Sequence, residues 1–177
     1  GGIGKTTLVV EFLHQYLEGN ISTSWKPELI SFFTAKSTRW GLSGLEHISA
    51  REVGAADAAM HIVRALSSEP LDKKWFTSTP DQVIEKTARV LQDWGISQQD
   101  HLIIIDNTET MAVDEESRAA LSQQIKRIAR QLGRVILTSR RRERVEANEI
   151  ELLPLKTGES IQLLKKRGRE LNRQPII

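Results

Sequence analysis

The sequence predicts a three-layer α/β domain in which a parallel sheet carries helices on both faces, and three stretches predict it. Gly1-Gly2-Ile3-Gly4-Lys5-Thr6-Thr7-Leu8 is a glycine-rich turn running directly into a helix. His101-Leu102-Ile103-Ile104-Ile105-Asp106 is an apolar run ending in an acid, the pattern of a strand buried on both faces. Arg134-Val135-Ile136-Leu137-Thr138-Ser139-Arg140 is a further buried strand, ending in a polar triplet.

In order along the chain, the first helix spans about Lys5 to Glu18, with Leu8, Val9, Phe12, Leu13 and Leu17 on one face and a stop at Gly19-Asn20. That face is expected to pack on the sheet. Leu29–Thr34, bounded by Pro27 and the polar Lys36-Ser37-Thr38, reads as a strand. Trp40 to Val53 has glycine and serine breaks and no clear period, so a surface loop is expected there. A helix over Ala55–Leu66 follows from Ala56, Met60, Val63 and Leu66. The next has Pro80 early and a stripe of Val83, Thr87, Val90, Leu91 and Trp94. Trp75 and Trp94 suggest a stacking surface for bases, but aromatics on a helical stripe read first as core. A helix from Glu115 to Leu132 turns Leu121, Ile125, Ile128 and Leu132 inward and stops at Gly133. A short strand, Ile150–Leu153, leads through Pro154 to a last helix, Gly158 to Leu171, whose outer face carries Lys165, Lys166, Arg167 and Arg169.

Composition narrows the class. The 177 residues have the length of one domain, and an apolar share of 39% allows a modest core. The absence of cysteine excludes disulfides and thiolate zinc sites. No signal sequence is legible, and no apolar run approaches the ~20 residues of a membrane span, so a cytoplasmic location and no membrane partner are expected. Net charge is +2, but unevenly spread: from Arg134 to Ile177, 11 Lys+Arg face 6 Asp+Glu, giving +5 there and −3 elsewhere. Such a basic third can signal nucleic acid. The plainer reading places some arginines on phosphates and the rest, Arg141, Arg142 and Arg144 among them, toward solvent or a partner subunit.

The three stretches together suit a nucleoside triphosphate, whose chemistry asks a protein mainly to position and neutralise. A glycine-rich turn lets backbone N–H groups converge on phosphate oxygens, and the helix start adds its positive end. Lys5 would offset β- and γ-phosphate charge, Thr6 and Asp106 would hold Mg²⁺, and Arg140 would sense the third phosphate. The nucleotide-binding set is Gly1, Gly2, Ile3, Gly4, Lys5, Thr6 and Thr7. The full pattern G-x-x-x-x-G-K-[ST] needs a glycine two residues before Gly1, so the chain is expected to begin inside this motif.

The runs GGIGKTTL, LISFFTAK, HLIIIDNTE and RVILTSR, with the helix after LLPLKTGESIQLL, resemble the nucleotide-binding domain of STAND-class signalling ATPases, close to the NB-ARC group. That group includes apoptosome scaffolds, plant disease-resistance proteins and bacterial regulators and antiphage proteins. The resemblance implies a P-loop NTPase fold with sheet order five, one, four, three, two, strand one being missing here. The strands left would be Leu29–Thr34, Leu102–Asp106, Val135–Ser139 and Ile150–Leu153, the first three adjacent and parallel and the last across a gap. It also implies a nucleotide-binding domain over 1–153 and the start of a small helical domain over 154–177. ATP and ADP with Mg²⁺ would be the ligands. ADP would hold a closed form, exchange for ATP would allow homo-oligomerisation, and slow hydrolysis would reset the switch.

Many members of the group carry a second acid directly after the strand's Asp. Here that place holds Asn107, and the next acid is Glu109, which becomes the candidate to polarise water in hydrolysis; the alternative is a surface carboxylate. Two other functions stand beside the switch: a constitutively cycling AAA-type ATPase acting on a polymer, and a nucleotide-locked scaffold that does not hydrolyse.

Overall fold

The computed structural model describes residues 4–35, 38–41, 44–47 and 54–171. Gly1, Gly2 and Ile3 of the expected phosphate loop lie outside them. The described chain is α/β, with a small parallel sheet: β1 (Leu29–Thr34) and β5 (Arg134–Leu137) flank β4 (His101–Asp106). Thr34 pairs with Asp106, and Ile105 pairs with Leu137, so the carboxyl ends of all three strands finish at one level. The adjacency expected of these strands is therefore present.

β4 is buried along its whole length, as its apolar run requires. Its Ile103 and Ile105 face a core built with α2 (Ala55–Leu66), α4 (Pro80–Asp93) and α5 (Glu115–Gln131), and Phe33, Val135 and Leu137 of the flanking strands pack against it. The inward set of α5 is the one its period predicts: Leu121, Ile125 and Ile128, with Leu132 just past its end, are all buried. The start of α4 is fixed by a reciprocal cap, Gln82 N–H donating to Thr79 and Thr79 N–H to the Gln82 side chain, with Pro80 as first residue. Asp114 accepts from Ser117 N–H at 2.8 Å to open α5, a contact that lowers its pKa. Between α2 and α4 lies the single turn α3 (Lys73–Phe76). Among the described residues no helix is long and apolar enough to cross a membrane.

Four expectations are corrected. The stretch read as a loop, Trp40 to Val53, overlaps an antiparallel hairpin, β2 (Thr38–Gly41) with β3 (Gly44–His47). Positions 48–53 of that stretch lie outside the described residues. Ile150–Leu153 is not a strand. Strand formation needs a ladder partner, and among the described residues none takes the second edge of β5; Ile150 is 82% exposed and Leu153 73%. The apolar face of α1 (Lys5–Leu17) is not buried: Leu8 and Leu17 are exposed, and Leu8 and Val9 border a cleft of about 610 Å³ instead of packing on the sheet. Trp94, expected on the inner stripe of α4, is exposed past its end, where Gly95 turns the chain with φ 74°, while Ile84 takes the inner place. Trp75 does pack against the core, with the Lys86 ammonium over its ring.

Candidate functional site

Parallel strands of equal register bring their carboxyl-terminal residues together, and open α/β sheets bind ligands at that end. Here the place holds Thr34, Asp106 and Thr138. Asp106 is 1% exposed and accepts four hydrogen bonds. Thr6 and Thr138 hydroxyls donate to its Oδ1 at 2.6 Å each, Thr34 donates to Oδ2 at 3.1 Å, and the Asn107 amide donates to Oδ2 at 2.8 Å. All four donors are neutral, so the buried carboxylate is well hydrogen-bonded yet has no ion-pair partner among the described residues. Such a carboxylate is costly unless positive charge joins it.

Thr6 reaches Asp106 from the first turn of α1. The preceding Gly4 is left-handed, φ 92°, which favours glycine, and it caps the helix with no side chain. The first turn contains no acid, so its free N–H groups remain an anion-binding end. Lys5 is half-buried on the same turn and, among the described residues, has no hydrogen-bond or ion-pair partner; Thr7 is exposed beside it. The sequence-predicted Thr6 and Asp106 thus meet, Lys5 stands on the same first turn, and Gly4 supplies the turn before it.

Asn107 has φ 61° and ψ 48°, a left-handed conformation that asparagine tolerates better than most residues. Its backbone N–H donates to Thr138 Oγ1 at 3.1 Å while its amide holds Asp106. A carboxylate in that place could not donate to Asp106 as the amide does. The turn then places Glu109 toward Arg140. Arg140 Nε lies 3.1 Å from Glu109 Oε1, and Arg140 N–H donates to Oε2 at 3.2 Å. Oε1 nevertheless has no aligned hydrogen: the guanidinium is near enough for charge attraction but not directed at it. The two candidate residues are engaged with each other.

Sequence reasoning gave no role to Glu143, which is nearly buried and organises the loop after β5. It accepts from Thr108 Oγ1 at 2.9 Å, from Ser139 Oγ at 2.7 Å and from Arg141 Nε at 3.3 Å, while Arg141 Nη2 donates to the Ala112 carbonyl at 2.7 Å. This ties the loop after β5 to the turn after β4. The basic stretch is likewise not a bare patch, since Arg142 pairs with Glu149 at 3.0 Å and Arg144 with Glu115. Thr34 and Thr138 were also assigned no role; the signal was a threonine at or just past the end of each flanking strand, level with the acid.

The 610 Å³ cleft is not this site. It runs beside β5 between α1, α5 and residues 145–152 and shares Lys5, Thr138 and Ser139 with the site, but Asp106 and Glu109 do not line it. Among the described residues there is no group of three or more His, Cys, Asp or Glu able to hold a metal alone, so a cation here would need a ligand's oxygens as well. The chain matches no protein-family model, no curated protein and no solved structure.

Proposed function

We propose that this chain is the ATP/ADP-binding module of a STAND-class signalling ATPase close to the NB-ARC group, a nucleotide-dependent switch that controls oligomerisation. The observation that carries the reading is the 2.6 Å hydrogen bond from Thr6 to Asp106, made beside an uncapped helix start and an unpartnered lysine. The helix N–H groups receive phosphate oxygens, Lys5 offsets phosphate charge, and Thr6 with Asp106 hold Mg²⁺. The donor set fits that ion, which takes one or two carboxylates and completes its shell with phosphate and water. When bound, Mg²⁺ neutralises phosphate charge. The adjacency of β1, β4 and β5 supports the P-loop order five, one, four, three, two, in which they are strands two, three and four.

In this reading ADP holds the resting form, ATP releases it for homo-oligomerisation in the cytoplasm, and slow hydrolysis resets it. Residues 1–153 form the nucleotide-binding domain. The helix α6 (Thr157–Leu171), with Ile161, Leu163 and Leu164 exposed, begins a small helical domain that packs with further domains of the same chain. The four arginines of the loop after β5 are matched by acids, so nucleic acid is not the partner of this surface. A second reading, the nucleotide-locked scaffold, is favoured by Asn107, which cannot take a proton, and by the ion pair on Glu109. Turnover separates the two.

The test is Lys5→Ala in the full-length protein. Losing a charge-assisted contact to phosphate costs ~2–5 kcal/mol, ~30-fold or more in affinity for ATP and ADP alike. Unchanged affinity removes the phosphate-loop assignment.

A further inference from the structure

We propose that Glu143 is a positioning residue for Asp106: with one oxygen it latches the loop after β5 to the turn after β4, and so fixes the groups that hold the Asp106 carboxylate against the first turn of α1. The inference rests on the nucleotide reading above and deepens it, because Asp106 is one of the two residues to which that reading gives Mg²⁺. Glu143 acts without touching Asp106.

Its ground is a series of contacts that runs unbroken from Glu143 to α1. Glu143 Oε1 accepts from Thr108 Oγ1 at 2.9 Å, from Ser139 Oγ at 2.7 Å and from Arg141 Nε at 3.3 Å. Thr108 N–H donates to the Thr138 carbonyl at 3.0 Å, and Asn107 N–H donates to Thr138 Oγ1 at 3.1 Å. A hydroxyl carries one hydrogen and two lone pairs. Asn107 takes a lone pair of Thr138, which leaves the hydrogen for Asp106 Oδ1 at 2.6 Å. The Thr6 hydroxyl, on the first turn of α1, donates to that same oxygen.

The strand ladder alone does not hold this corner. It gives Thr138 one bond, from its N–H to the Ile105 carbonyl at 3.1 Å. Asn107 stands left-handed, with φ 61° and ψ 48°, a conformation that persists in a non-glycine residue where the surroundings enforce it. The latch supplies that enforcement at two points: Glu143 grips Thr108, directly after Asn107, and Arg141 Nη2 donates to the Ala112 carbonyl at 2.7 Å. The Glu143 side chain is 6% exposed and Thr108 is fully buried, so water competes poorly for these bonds.

The test uses the full-length protein with Glu143→Ala, Glu143→Gln and Thr108→Val. Without nucleotide, hydrogen exchange at the Asn107 and Thr108 amides should quicken ~10-fold in Glu143→Ala, with the amides of Ile104 and Ile105 unchanged. Affinity for ADP is then measured in excess Mg²⁺ and in a chelator. The ratio of the two should fall ~5-fold in Glu143→Ala and move in the same direction in Thr108→Val, with chelator affinity unchanged in both. The double variant should fall no further than Glu143→Ala, because the two changes break one shared contact. Glu143→Gln keeps Oε1 as an acceptor and should stay within ~2-fold of the wild type. Unchanged exchange overturns the latch itself, whatever the nucleotide does. Faster exchange with an unchanged ratio, or equal losses with and without the metal, overturns the positioning role and leaves Glu143 structural. Thr108→Val keeps the carboxylate in place, so an unfolded Glu143→Ala does not end the test: an unchanged ratio in Thr108→Val is enough to overturn the inference. A wild-type protein that binds no nucleotide, or binds it equally with and without Mg²⁺, overturns the site reading and the positioning role together.

Discussion

The Thr6 hydroxyl donates to Asp106 Oδ1 at 2.6 Å, joining positions 100 residues apart. That contact fixes where the start of α1 sits against the end of β4, and it leaves Asp106 one donor short if the hydroxyl is removed. Thr6→Val keeps the shape and deletes the oxygen. In the full-length protein, nucleotide affinity measured in excess Mg²⁺ should fall ~10-fold or more, since a hydrogen bond to a charged group is worth ~1.5–3 kcal/mol. Affinity measured in a chelator should change little. Equal losses with and without the metal would make Thr6 a packing residue.

Gly133 closes α5 where the chain turns into β5. A Cβ there would stand 2.5 Å from the His101 carbonyl oxygen and 3.0 Å from His101 Cβ, and the first of these is backbone that cannot swing aside. Gly133→Ala should lower unfolding free energy by ~1–3 kcal/mol, the usual cost of overpacking, seen as a lower urea midpoint with unchanged slope. Gly158→Ala, where an added Cβ meets nothing within 4 Å, is the matched control and should cost little.

His101 is buried at the opposite end of β4 from Asp106. Its Nδ1–H donates to the Leu132 carbonyl at 2.9 Å, so the neutral ring accepts from the Ser31 hydroxyl at Nε2, at 2.8 Å. Burial lowers its pKa below 6.5, partly opposed by the Leu132 contact. The unfolded chain then binds the proton more readily than the folded one, so stability rises with pH through this window. The contribution is complete above about pH 6.5 and is lost as pH falls through the lower folded value. Against His101→Gln, the wild-type advantage in unfolding free energy should shrink as pH falls below about 6.5; a constant difference would show a ring that does not titrate with folding.

What the sequence made legible follows the range of the forces involved. The apolar run of β4 and the period of α5 are local patterns, and both elements stand where those patterns put them. The position of Asp106 at the buried end of β4 was legible because the acid closes an apolar run. The hairpin at 38–47 was not, since it depends on pairing across a turn. The misread segment at 150–153 shows the converse: four residues of strand character form none without a neighbour. Thr34 and Thr138 acquire meaning only from strand register, and Glu143 only from the side chains that close on it. The ion pairs of the arginine-rich stretch were not legible, because two of its acids, Glu109 and Glu115, lie far upstream.

The helix that opens the site is only loosely anchored to the described fold. α1 buries no side chain, whereas α5 buries Leu121, Ser122, Ile125 and Ile128. Helical stability in proteins comes mostly from an amphipathic face packed on something, and a thirteen-residue helix without one is marginal in water. The amides of α1 should therefore exchange with solvent through small local openings, and those of β4 and α5 only when the whole domain opens, as hydrogen exchange would show. On the nucleotide reading, a ligand held at Gly4 to Thr7 would stitch this helix to the sheet, and part of the binding energy would go into ordering it. Occupancy is then written in the exchange rates of a helix most of which never touches the ligand.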